Sequence, residues 1–163
     1  MRRTIAIIAG LVVLAAANYT IYSRERQLAE GDIVLLELAP VDPRSLMQGD
    51  YMALRFKAAD DAFGRTTVTA VGDGHIIVKV DERGVGSFVR HDRGEPLSAG
   101  EARLRYRIRN EQVKFATNAF FFQEGHAQYY ERARYGEFRV APAGDLMLTT
   151  LRGEKLESLG PKS

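Results

Sequence analysis

Hydrophobic and polar positions divide the chain into two unlike parts. From Thr4 to Ser23 there is no charge, and Ile5 to Ala17 is apolar on every side of a helical wheel, directly after Arg2 and Arg3. About 20 helical residues at ~1.5 Å each reach ~30 Å, the thickness of a bilayer core, so the pattern predicts a transmembrane helix. Arg24 to Glu30 extends it, and Gly31 ends it. After that the period shortens. Ile33 to Leu38 is a strand-like run, and in Tyr51 to Phe56 the residues Tyr51, Ala53 and Arg55 alternate with Met52, Leu54 and Phe56. Thr66 to Val71 and His75 to Val80 read as a hairpin turning on Gly72-Asp73-Gly74. Gly84 and Gly86 turn the chain before Ser87 to Arg90, and His91 to Gly100 is a polar loop.

The cleanest alternation is Ala102 to Arg109. Arg103, Arg105, Arg107 and Arg109 share one face, Leu104, Tyr106 and Ile108 the other, and Asn110-Glu111 turns into Gln112 to Phe115. Phe120 to Phe122 must mostly be core or lie at the membrane surface, and is read as core. Gln123 to Arg134, followed by Gly136, reads as the helix of the body. Phe138 to Ala141 and Leu146 to Leu151 form a last hairpin across Pro142 to Asp145, leaving Gly153 to Ser163 as a frayed tail. The fold class expected is mainly β (α+β): an N-terminal transmembrane helix, then an antiparallel β-rich barrel-like or sandwich domain with one short helix. Its divisions are an anchor or signal peptide (1–23), a linker (24–32), an exported domain (33–153) and a tail (154–163).

Composition changes the picture in two places. The 23 basic residues exceed the 21 acidic ones only by Arg2 and Arg3, so the body is neutral and the pI near 9.0 does not point to nucleic acid. There is no Cys, which removes disulfides and thiolate chemistry. The three His, at 75, 91 and 126, show no ligand spacing, so no metal and no cofactor is expected. Arginines before the apolar segment and mixed charge after it favour a cytoplasmic N-terminus and an exported body. Ala15 to Ala17 offer a cleavage site, which leaves a signal peptide as the competing reading. A buried core helix is the third.

Three constellations bear on chemistry. The first is the corner Asp42 to Tyr51, where Asp42, Arg44 and Asp50 can pair or accept backbone N–H groups and Gly49 can take a turn conformation. Ser45 would need a deprotonated lysine, Lys57 or Lys79, to act as a nucleophile. The second is Gln123 to Tyr135. There Glu124 and Glu131 would stand ~10 Å apart on a helix, a spacing for acid/base chemistry of the inverting type only. The third is the arginine stripe, a lipid or acidic-partner surface unless neutralised by Glu95, Glu101 and Glu111.

Gly49-Asp50-Tyr51-Met52-Ala53-Leu54-Arg55-Phe56 resembles the signature of the GDYXXLXY family of bacterial membrane-anchored proteins, with Phe56 in place of the final Tyr. Ala39 to Leu46, Phe121 to Gly125 and Ala133 to Gly136 resemble that family's further blocks. The resemblance implies an N-terminal membrane segment with an extracytoplasmic domain, and marks Asp42, Arg44, Gly49, Asp50, Tyr51, Glu124, Gly125, Arg134 and Tyr135 as candidate binding residues. The expectation is a single-pass protein of the bacterial inner membrane, held by residues 4–23, whose periplasmic domain binds a protein partner in the envelope. The alternative is a membrane-bound hydrolase of Ser/Lys peptidase or carboxylate type.

Overall fold

The structure is a computed structural model and describes residues 2–39, 47–48, 51–64 and 72–161. Helix α1 (Arg2–Glu30) is followed by strands β1 (Asp32–Glu37), β2 (Met47–Gln48) and β3 (Tyr51–Ala53), then helix α2 (Lys57–Phe63). Strands β4 (Gly72–Val80), β5 (Val85–His91), β6 (Glu101–Arg109), β7 (Gln112–Lys114) and β8 (Ala119–Phe121) precede a 3-10 turn (Ala127–Tyr129) and the final β9 (Tyr135–Val140) and β10 (Leu146–Arg152). A seven-stranded sheet runs β10-β9-β1-β5-β4-β6-β7, and a three-stranded sheet runs β2-β3-β8. The expected fold class stands: an apolar N-terminal helix and a mostly β domain with, among the described residues, one short α-helix.

Alternation places the core. Val34 and Leu36 of β1, Ile76 and Val78 of β4, Leu104 of β6 and Phe138 of β9 pack against Met52, Leu54, Phe56, Ala58 and Phe115 from the small sheet, α2 and the loop after β7. One pair departs from the antiparallel rule: β1 lies parallel to β5, with Leu36 opposite Gly86. Gly86 therefore sits inside a strand and does not turn the chain. A Cβ there would come within 3.0 Å of Val34 and 3.2 Å of Val78, so glycine is needed for close approach. The real turn is Asp81 to Gly84, where the Asp81 carboxylate accepts the N–H groups of Arg83 and Val85 and Gly84 takes φ +83°.

Three further expectations are corrected. Gly72-Asp73-Gly74 is not a turn: it is the start of β4, paired with Ile108, Arg107 and Tyr106, and Thr66 to Val71 lie outside the described residues. Gly74 admits the Tyr106 ring, since a Cβ would stand 2.6 Å from the phenolic oxygen. Gln123 to Arg134 is no α-helix either. Its buried members are Tyr130 and Ala133 alone, too few for a helical stripe, and Tyr130 is drawn between Phe120 (centroids 5.0 Å) and Phe122 (5.3 Å). Among the described residues the α-helix of the body is α2, closed by Gly64 at φ +82° with its N–H on the Asp60 carbonyl. The third correction concerns the tail, which is tied back: Ser158 bridges Arg152, and the Leu159 N–H donates to the Leu151 carbonyl at 3.0 Å.

Helix α1 does not serve the core. Ile5, Leu11, Val13 and Ile21 are each more than half exposed, which removes the reading of the segment as a buried core helix. The helix is long and apolar enough to cross a membrane. Two of its polar side chains bond to its own backbone: Asn18 Nδ2 donates to the Leu14 carbonyl (2.8 Å), and Thr20 Oγ1 to that of Ala16 (2.9 Å). Such back-bonding leaves fewer polar atoms needing water. The last turns of α1 meet the domain through Gln27, which is buried and donates to the carbonyls of Asp145 (2.8 Å) and Arg139 (3.2 Å).

Candidate functional site

The motif strand β3 is the middle of the small sheet. Tyr51 stands opposite Gln48 on one side and Phe121 on the other, and Met52 stands opposite Phe120. Its alternation sorts the motif into two classes. Met52, Leu54 and Phe56 are buried, whereas Tyr51 and Ala53 are half-buried and Arg55 is exposed. Leu54 is held further by its N–H to the Asn118 carbonyl (2.7 Å), and Phe56 bridges Leu38 of the large sheet. The inward half of the motif is thus a packing element joining the two sheets.

The outward half presents aromatic surface. Phe121 is 73% exposed, and its ring centroid lies 5.7 Å from that of Tyr51. Close by in sequence, Tyr129 is exposed and stacks edge-on against His126 at 5.3 Å. Of the Phe120 to Phe122 run, Phe120 and Phe122 pack on the core as expected and Phe121 does not. Glu124 and Gly125 are exposed in the turn after β8, with Gly125 at φ +81°. Arg134 is exposed, but its backbone joins β1 to β10, donating to the Arg152 carbonyl and accepting from the Leu38 N–H, both at 2.8 Å. Tyr135 opens β9 opposite Glu37 and Arg152. Asp42, Arg44, Gly49, Asp50 and Ser45 lie outside the described residues.

Lys57 pairs with Glu37 at 3.1 Å, and that hydrogen bond and charge hold its ammonium above the ordinary 10.5. Lys79 donates to the Ala99 carbonyl at 2.5 Å. Glu124 and Glu131 flank a 3-10 turn, without the helix that would set their spacing. Among the described residues, no three His, Asp or Glu side chains converge as a metal site would require.

The arginine stripe is salt-bridged, by partners other than those expected. Arg103 Nε lies 2.6 Å from Asp92, Arg105 reaches Asp145 (3.1 Å) and Asp73 (3.7 Å), and Arg109 reaches Asp73 (2.9 Å). Glu95 and Glu101 instead hold Arg90. Of the four, Arg107 alone makes no ion pair with a described residue, and it is exposed.

These carboxylates predict the acid limb of stability. The Val85 and Arg83 N–H groups hold Asp81 below its ordinary 3.8, the Gly94 N–H and then Arg103 do the same for Asp92, and Arg90 with the Ser98 N–H hold Glu101 below 4.5. Groups depressed in the folded state stabilise fully above their unfolded values, and the contribution is lost as pH falls through the folded ones. Urea midpoints should therefore be flat above about pH 5 and drop below about pH 4, with a shallower drop in Asp92→Asn. An acid limb unchanged by that substitution would remove Asp92 from the account.

Together these features define a protein with one apolar N-terminal helix, fit in length for a membrane, carrying a β-rich domain with an aromatic outer face on its motif strand. The sequence profile of the GDYXXLXY protein family matches residues 13–151, so the chain belongs to that family. No curated protein and no solved structure matches it.

Proposed function

We propose that the protein is a single-pass inner-membrane protein, N-terminus in the cytoplasm and body in the periplasm, whose domain binds another envelope protein through the outer face of the motif sheet. The observation that carries this is Phe121. Phe120 and Phe122 on either side of it pack on the core, yet Phe121 is left 73% exposed beside Tyr51 on the strand next to the motif. Exposed aromatic pairs supply large contact area at small entropic cost, and aromatic residues are enriched at the centres of protein interfaces. Arg2 and Arg3 ahead of the span and mixed charge behind it support the orientation.

A photo-crosslinking residue at Gln123, exposed two positions beyond Phe121, should give a discrete adduct in native membranes. Phe121→Ala should abolish the adduct while leaving the melting temperature within about a degree, because an exposed ring contributes little to folding. An adduct of equal yield in Phe121→Ala would overturn the assignment of the surface. Topology is read separately. A reporter fused after Ser163 should be active only in the periplasm, and the chain should resist carbonate washing. A soluble product beginning near Asn18 would leave the signal peptide as the correct reading.

A further inference from the structure

Between the last turns of α1 and the β9–β10 turn lies an open groove of about 610 Å³. Tyr19, Ser23 and Arg24 line it from the helix and Pro142 and Ala143 from the turn, and Gln27 joins the two walls. We propose that this groove binds one membrane phospholipid, its phosphate on Arg24 and its glycerol and first methylenes against Tyr19, Pro142 and Ala143. The proposal rests on α1 spanning the membrane as above.

Two observations select this occupant. The first is depth. If the uncharged stretch Thr4 to Ser23 fills a ~30 Å core, Arg24 enters the headgroup layer and Tyr19 lies ~8 Å below it, at the acyl boundary. A molecule in the groove therefore has its polar end in one layer and its apolar end in the other, as a phospholipid does.

The second is charge. Arg26 is taken by Glu30 at 2.7 Å, and Asp145 by Arg105 at 3.1 Å. Arg24 has no carboxylate partner among the described residues. Its Nη1 donates to Gln27 Oε1 at 3.1 Å, which fixes the guanidinium while leaving other N–H donors for an anion. Gln27 is held in turn by the Asp145 and Arg139 carbonyls, so the cation is preorganised on the domain as well as on the helix. The volume is that of an ordinary small-ligand site.

The test is native mass spectrometry of the full chain, released from micelles containing phosphatidylglycerol and phosphatidylethanolamine. Wild type should retain one phospholipid at collision energies that strip detergent. Arg24→Gln should lower the occupied fraction about tenfold, the loss of one charge-assisted hydrogen bond. Ala143→Trp keeps the cation but fills the groove from an exposed turn, and should remove the adduct. Glu25→Gln, a neighbour that does not line the groove, should change nothing. Equal adducts in wild type, Arg24→Gln and Ala143→Trp would mean non-specific surrounding lipid and overturn the proposal, as would no adduct in a chain that resists carbonate washing. Release of the chain in soluble form would overturn the membrane reading first, and the lipid site with it.

Discussion

Phe56→Ala should destabilise the domain by about 3–5 kcal/mol, which is a large part of the 5–15 kcal/mol that typically holds a domain together. The ring is 1% exposed and sits edge-on to Phe138 (centroids 5.3 Å) and Phe115 (6.1 Å), so its removal costs transfer energy, two aromatic contacts and a cavity. Relaxation into the cavity is limited. Gly136 already approaches the ring closely enough that a Cβ there would lie 3.1 Å from it, and Phe56 is pinned by its bridge to Leu38 and by the start of α2. Phe56→Leu should cost roughly half as much, since it keeps part of the volume. Tyr51→Ala, from the half-buried outer face, should cost about 1 kcal/mol and act on crosslinking at Gln123 instead. Urea unfolding of the full chain in detergent reads all three. A Phe56→Ala midpoint close to wild type would show that the motif's last position does not join the sheets.

That contrast explains how far the motif could be read from sequence. Two-residue alternation in Tyr51 to Phe56 was enough to separate Met52, Leu54 and Phe56 from Tyr51, because a strand between a core and an open face has only that one degree of freedom. The same logic holds for Leu104 and Ile108 in β6, and for the Asn110-Glu111 turn, whose φ values of 51° and 60° suit a tight hairpin without any glycine. Glycine misled where its use was not conformational. At Gly74 and Gly86 the small residue makes room for Tyr106 and for Val34 with Val78, and these neighbours are distant in sequence. Helix α2 is seven residues long, with a period too brief to stand out, while Gln123 to Arg134 has helix-like composition but is governed by the Tyr130 ring. Phe121 could not be told from Phe120 and Phe122 because three adjacent aromatics carry no phase of their own. The ion pairs of the arginine stripe and the Gln27 clamp depend on Asp73, Asp145 and Arg139, which only the sheet order brings near.

Glu137→Ala is expected to cost about 3 kcal/mol, the second large effect. Glu137 is 7% exposed on β9, between Gly136 and Phe138, which are both buried. Arg152 grips the carboxylate through Nε (2.5 Å) and Nη2, and Thr149 donates its hydroxyl to Oε1 at 3.0 Å. Thr149 is the extra residue of a bulge, for the register passes from Leu148 opposite Phe138 directly to Thr150 opposite Glu137. The bulge thus frees Thr149 to reach the acid. Arg152 also donates to the Leu156 carbonyl at 2.6 Å, so the same guanidinium holds the turn that brings the tail back to β10. Removing the acid leaves a cation with its charge unmet. The cost falls at the low end of the usual range because the Arg152 side chain is 29% exposed and recovers some hydration. Glu137→Ala with Arg152→Met removes both charges and should recover most of the loss, which a double-mutant cycle measures directly. Amide exchange should distinguish the tail's share: in Glu137→Ala the Leu159 N–H, bonded to the Leu151 carbonyl, should exchange faster. A double variant as unstable as the sum of the two single ones would show that packing around β10, and not the unpaired charge, sets the penalty.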